Sequence, residues 1–161
     1  ISLTQKSKES KLKTLKKFIF TSILIIIMET IDNILEDIMI VRTHEDVINF
    51  RGSLYNAARQ WWAAKSEKVK QANYVMVVVD NYVREIYKPK NTWHLEKDSG
   101  KDIKHFDGER WVFGIQNDYD DGEYCKSMLA PDSLRQKYVG KKLPEYYCWT
   151  QGQRNPVKYS F

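Results

Sequence analysis

Two cysteines and three histidines are all that this 161-residue chain offers of the residues on which most thiol and metal chemistry depends. Cys125 and Cys148 stand 23 positions apart with no C-x-x-C spacing, which argues against a disulfide scaffold, although one bridge becomes possible if the chain's start is a secretion signal. Cysteine usage of this kind suits a reducing compartment, so a cytoplasmic location is expected. His44, His94 and His105 are scattered, none at i,i+4 and none beside a cysteine at ligand spacing, so no metal site is expected. Glycine is sparse, with 7 in the chain. There is neither a glycine-rich phosphate loop nor a G-x-S-x-G elbow, and no cofactor is called for. The acidic loop Asn117 to Gly122 imitates a calcium loop only superficially. With Gly122 as sixth position, Tyr119 and Met128 would fall where oxygen ligands are required. It reads as a solvated acidic loop.

Long apolar runs are also missing. The main one, Phe18 to Met28, has 11 residues, against roughly 20 needed to span a bilayer. Six lysines precede it, as in a secretion signal, but ETIDN follows where a small-residue cleavage site belongs. Three readings of residues 1–27 stand: a signal or anchor, a tail outside the globular domain, or translated upstream sequence with Met28 as the start. The tail also accounts for the basic balance. It holds Lys6, Lys8, Lys11, Lys13, Lys16 and Lys17 against Glu9, the whole net charge of +5. Residues 28–161 therefore carry 20 basic and 20 acidic side chains and are neutral. The high isoelectric point is not, by itself, an argument for a polyanionic partner.

What the chain has in quantity is aromatic side chains, with five tryptophans and ten tyrosines. Residues 28–161 are one domain's worth of sequence, enough to bury a core. IMIVRT at 38–43 is β-rich, and HEDVINFRG after it reads as a loop or short turn. From Ser53, a candidate N-cap, the pattern turns helical: Tyr55, Ala58, Trp62, Val69 and Ala72 share one stripe, with Leu54, Ala57, Trp61 and Ala64 beside it. Glu67, Lys70 and Asn56 fall on the solvent side. YVMVVV at 74–79 is a strand covered on both faces, Asp80-Asn81 a tight hairpin turn, and YVREIYK an alternating return strand. In that alternation Tyr82, Arg84 and Ile86 oppose Val83, Glu85 and Tyr87. RWVFGI and VKYSF are further strands. PDSLRQKYV, stopped by Gly140, is a short helix. The expected fold is α+β: a small curled mixed sheet or open barrel, one main helix over about 53–72 and a short one over about 131–139.

Recognition chemistry is the class that fits the residues best. From Arg135 to Lys158 the cations Arg135, Lys137, Lys141, Lys142, Arg154 and Lys158 interleave with Tyr138, Tyr146, Tyr147 and Trp149, with Glu145 the one acid. Cations meet phosphates and aromatic faces stack on unpaired bases. Trp93, in a polar segment, and Arg110-Trp111 extend the set, and Arg59 and Arg84 stand where they would line a groove. Core packing for the aromatics and salt bridges to Glu85 or Glu67 for the arginines are the competing assignments. The nucleic-acid-binding candidates are thus Arg59, Arg84, Trp93, Arg110, Trp111, Lys141, Lys142 and Arg154. An enzyme alternative is a metal-dependent nuclease using Asp80, Asp102 and Lys104, two acids for the metal and a lysine for the attacking water. A third alternative is a protein-interaction module that offers exposed aromatics to another chain. Glu85-Ile86-Tyr87 and the KYVG at 137–140 imitate the halves of a GIY-YIG signature, but some 50 residues separate them, too many for adjacent strands.

The order AARQWWAAKSEKVKQANYVMVVVDNYVREIYK, then RWVF, LRQKYVGKKLPEYY and NPVKY, resembles a small bacterial module, some copies of which stand beside GIY-YIG-type nuclease domains. The likeness covers roughly residues 38–161. Its layout is also similar to the PUA-like group, the ASCH, EVE and YTH relatives. The resemblance implies a non-catalytic module that binds RNA or modified bases, often through an aromatic pocket, as an accessory to restriction or RNA handling.

Overall fold

The structure, a computed structural model, describes residues 2–26, 29–97 and 108–161, and the side chains of all of these except 21–26. The chain divides into two compact units, residues 1–30 and 31–161. In the first, helix α1 (Leu3–Ile26) carries the six lysines in its first two-thirds. Among the described residues no helix is long and apolar enough to cross a membrane.

The second unit is α+β. Its core is a four-stranded mixed sheet built from β1 (Ile38–Arg42), β2 (Tyr74–Val79), β3 (Tyr82–Tyr87) and β6 (Val157–Tyr159), in the order β3-β2-β1-β6. β1 and β2 run parallel; β2–β3 and β1–β6 are antiparallel. A separate two-stranded ribbon pairs β4 (His94–Lys97) with β5 (Glu109–Val112), and neither sheet closes into a barrel. The unbroken apolar run of β2 follows from burial on both sides. Ile38, Ile40, Met76 and Val78 face one core with Leu134, Tyr138, Leu143 and Trp149. Met39, Val41, Val75 and Val77 face a second core with Tyr55, Trp62, Phe113 and Met128. Asp80 and Asn81 take φ values of 51° and 66°, the left-handed pair of a tight hairpin.

β3 departs from strict alternation. Val77 pairs with Glu85 but Val78 with Val83, so Arg84 is the extra residue of a bulge. The bulge rotates the strand, and Val83 joins Ile86 in one core rather than opposing it. Glu85, on the same strand, receives the Arg135 guanidinium through Nε at 2.8 Å and Nη2 at 2.9 Å, which fastens helix α6 (Asp132–Tyr138) to the sheet.

Two expectations are corrected. The segment after β1 is a helix, α2 (Glu45–Arg51), with Glu45 and Asp46 in its first turn and Gly52 ending it at φ 90°. The single helix over 53–72 is two helices, α3 (Leu54–Arg59) and α4 (Ser66–Gln71), joined by extended chain. The ribbon explains the break. Trp62 exchanges both backbone hydrogen bonds with Trp111, each 3.0 Å, and the Arg59 carbonyl accepts from Phe113 N–H at 3.0 Å. Ala58 O, which a continuous helix would offer to the Trp62 amide, accepts instead from the Trp62 indole at 2.8 Å. Tertiary pairing overrides helix propensity here.

Ser53 caps α3 as expected, accepting from Asn56 N–H at 3.0 Å and donating to Asn117 O at 2.7 Å. Asn56 itself is fully buried rather than solvated. It accepts from Asn117 N–H at 2.9 Å and donates to the Asp118 carboxylate at 2.9 Å. The acidic loop is therefore structural: Asp120 also accepts from the Leu54 and Tyr55 amides at 3.0 and 2.9 Å. These are two of the amide groups that a helix N-terminus leaves without intrahelical partners. Helix α5 (Glu123–Ser127) follows it.

Asp120→Ala removes both acceptors from α3 and is expected to cost about 1–2 kcal/mol, seen as a lower urea midpoint at unchanged slope. Glu36 supplies a pH signature. Partial burial raises its carboxyl, but hydrogen bonds from Tyr138 and Lys137 outweigh this and hold it below its ordinary value. The stability it contributes is complete above the ordinary carboxylate range and is lost as pH falls through the lowered value. Glu36→Gln should flatten the acid limb of a plot of unfolding free energy against pH.

Candidate functional site

Two clefts flank the β4–β5 ribbon, and they differ in chemistry. The first, about 450 Å³, is lined by Lys70, Ala72 and Asn73 at the end of α4, by Lys88, Pro89, Lys90 and Asn91 after β3, and by Trp93 and Trp111. Its shape follows from local backbone. Lys90 and Asn91 adopt φ values of 52° and 60°, closing a tight turn in which Thr92 N–H donates to Pro89 O at 3.0 Å. That turn lifts Lys90 beside the two half-buried indoles. Trp93 stands edge-on to Phe113, ring centroids 5.1 Å apart, which fixes its orientation from the core side. Its indole N–H is buried and has no acceptor among the described residues. Among the described residues no acid lines this cleft. Lys70 and Lys88 make no ion pair among the described residues, and Lys90 donates only to the Ser127 carbonyl.

The second cleft, about 440 Å³, is lined by Phe50 and Arg51 of α2, Arg59, Gln60 and Trp61 at the helix break, His94, Glu96 and Lys97 of β4, and Gly114, Ile115 and Gln116. Arg59 is 3% exposed. Its Nε donates to Phe113 O at 2.9 Å, Nη1 to Gln60 Oε1 at 2.7 Å and Nη2 to Gly114 O at 3.0 Å. All three acceptors are neutral. Burial pulls the guanidinium below its ordinary value, with the Tyr55 phenol and the Glu96 carboxylate opposing that pull. Glu96 is itself held by His94 Nε2 at 2.7 Å. Arg51 lies over the Trp61 ring, 5.5 Å from its centroid.

The sequence candidates scatter over this frame. Trp93 and Trp111 meet in the first cleft, and Arg59 lies at the second. Arg110 neighbours Trp111 on β5 and faces Glu96 across the ribbon. Arg84 sits on the β3 bulge and pairs with Glu45, not Glu85. Lys141 and Lys142 run beside the first residues of β3, where the Lys141 carbonyl accepts from Val83 N–H at 2.9 Å. Arg154 is exposed in the turn before β6. The interleaved C-terminal segment is largely structural. Arg135 and Lys137 pair with Glu85 and Glu36, and Lys158 donates to the Tyr147 and Cys148 carbonyls at 3.1 and 2.9 Å. Trp149 is buried with Lys158 over its ring. Lys70, Lys88 and Lys90 were missed because they come from separate segments. The one local signal was the K-P-K-N turn beside Trp93.

Catalytic readings gain little from this arrangement. Asp80 is an exposed hairpin residue, while Asp102 and Lys104, like His105, lie outside the described residues. Burial pushes the Cys125 thiol up to about 11, with Asp120 and Asp121 adding to it, and burial also raises Cys148. Neither is an activated nucleophile. Among the described residues no group of three or more His, Cys, Asp or Glu is placed to hold a metal ion. No protein-family model matches the chain, and comparison with curated proteins and with solved structures gives no match.

Gly114 ties the second cleft to the core. It sits at φ 61°, and a Cβ there would lie 2.3 Å from Tyr55 Oη and 2.9 Å from Tyr124 Oη. Tyr55 is fully buried and cannot swing aside. Gly114→Ala is expected to lose about 2–4 kcal/mol from the left-handed backbone and the overlap together, read as a fall in melting temperature.

Proposed function

We propose that this domain is a non-catalytic module that binds single-stranded or unpaired nucleic acid through the Trp93–Trp111 cleft. The observation that carries the reading is the composition of that cleft: two indoles and three lysines, with no carboxylate among the described residues that line it. Backbone phosphates pair with ammonium groups, and bases of any sequence stack on aromatic faces. The buried, unmatched Trp93 N–H offers a donor to a base or phosphate oxygen entering the cleft. The likeness in layout to PUA-like domains points to the same ligand class, with RNA or modified DNA as the expected form and an accessory role in restriction or RNA processing. A protein-docking surface fits less well. Three lysines stand around Trp93, and Trp149 is covered by Lys158 and Arg42, so neither tryptophan heads an apolar, charge-poor patch.

The test is fluorescence anisotropy with labelled 12-nucleotide RNA and DNA strands over a range of salt concentrations. Lys88→Ala combined with Lys90→Ala should weaken binding and reduce the salt slope by about 1.4, two single-strand phosphate contacts. Trp93→Ala should cost about 1–3 kcal/mol, one lost stack, with the far-ultraviolet spectrum unchanged. Lys141→Ala, beside Val83 near the opposite end of β3 from Lys88, should leave affinity as it is. Absence of binding to RNA or DNA, modified or plain, at low salt overturns the proposal.

A further inference from the structure

A buried guanidinium without a carboxylate partner is an unusual component for a neutral domain. Charged groups are removed from water at large cost unless an opposite charge meets them. Arg59 is 3% exposed, its three hydrogen bonds go to neutral oxygens, and among the described residues no carboxylate is in ion-pair contact with it. Guanidinium carries five N–H groups, so these bonds leave donor capacity over. Arg59 also lines an open cleft of about 440 Å³, within the range of small-molecule sites. Among the described residues the lining also includes two more cations, Arg51, which donates to the Gln60 carbonyl, and Lys97, and one acid, Glu96, which His94 engages. Trp61, Phe50 and Ile115 supply apolar surface beside them, and Phe50 and Ile115 are 54% and 62% exposed. Cationic and apolar side chains thus line the same cleft, with Arg51 lying over the Trp61 ring.

We infer that this second cleft binds a phosphorylated small molecule with an apolar or aromatic body, the phosphate meeting Arg59, Arg51 and Lys97 and the body lying against Trp61, Phe50 and Ile115. Three cations suit a dianion better than a carboxylate, and arginine forks match phosphate oxygens in pairs. Arg59 is held in place by Phe113, Gln60 and Gly114 before any ligand arrives, so its orientation costs nothing on binding. The inference is separate from the nucleic-acid reading, because among the described residues the two clefts share no lining residue.

The experiment is isothermal titration of the full chain with phenyl phosphate, inorganic phosphate and benzoate at fixed ionic strength. Phenyl phosphate should bind at least about tenfold more tightly than either of the other two, since only it combines a dianion with an apolar body. Lys97→Glu, at the exposed rim, should weaken phenyl phosphate about tenfold or more with the melting temperature unchanged. Arg59→Lys keeps the charge but loses the fork, and should weaken it further; should that variant not fold, Lys97→Glu and Trp61→Leu carry the test. Lys88→Ala with Lys90→Ala should leave phenyl phosphate binding intact, which separates this site from the Trp93 cleft. No heat of binding with phenyl phosphate to millimolar concentration, equal affinity for inorganic phosphate, or indifference to Lys97→Glu would each overturn the inference.

Discussion

The central strands β1 and β2 are apolar on both faces, and everything else in the domain answers that condition. Parallel pairing already requires a crossover between them, and the crossover is where α2, α3 and α4 are found. One face is closed by α6 and the C-terminal segment. The fastenings there are polar at the edges: Arg135 on Glu85, and Tyr138 with Lys137 on Glu36. The other face is closed around Tyr55, whose ring meets those of Tyr87, Phe113 and Tyr124 edge-on at centroid distances of 5.5, 5.9 and 6.1 Å. Edge-to-face aromatic contacts of this kind add to the area they bury. They also need Gly114, since no side chain fits beside the Tyr55 hydroxyl.

Both clefts descend from one set of backbone hydrogen bonds on that second face. Phe113 N–H takes the Arg59 carbonyl, and Trp111 takes both backbone groups of Trp62. The helix stops, and the chain runs extended until Ser66 restarts it. Gln60 and Trp61, displaced from any helix, become a wall of the Arg59 cleft, while α4 brings Lys70 and Ala72 to the Trp93 cleft. A continuous helix over the same residues would bury Trp61 and Trp62 on neighbouring stripes and open neither cavity. Both clefts therefore depend on the junction between ribbon and crossover, more than on either element alone.

Most of the core was legible before the fold was known. Tyr55, Ala58, Trp62, Val69 and Ala72 are all buried as their spacing implied, although the helix joining them is broken. Periodicity reports which residues face inward; it does not report whether a distant strand will capture the backbone between them. The same limit explains Arg84. Its place on an alternating strand was readable, the bulge that moves it was not, because a bulge is set by the pairing of β3 with β2. Asn56 and the acidic loop show a third kind of miss. Polar residues in a turn-rich segment look solvated, yet here they cap a helix 60 residues away in sequence. Among the site residues, Trp93 and Trp111 were visible as tryptophans in polar or strand-edge settings. Their lysine neighbours come together only through the sheet.

Local charge, rather than net charge, decides what such a domain attracts. Residues 31–161 are close to neutral overall, but many of the acids are committed elsewhere: Glu36, Glu45 and Glu85 to cations, Asp118 and Asp120 to the start of α3. A carboxylate paired with a cation presents little net charge to a cleft on another edge, and solvent ions screen the field of the others beyond about 8 Å at physiological salt. Lys70, Lys88 and Lys90 thus stand in their cleft with no acid among its described lining residues to oppose them, whatever the sum over the chain. By the same reasoning the Arg59 cleft, with Glu96 at its wall, favours an anion small enough to reach the guanidinium past that carboxylate. Two clefts of nearly equal volume and different lining can therefore coexist on a surface whose average charge advertises neither.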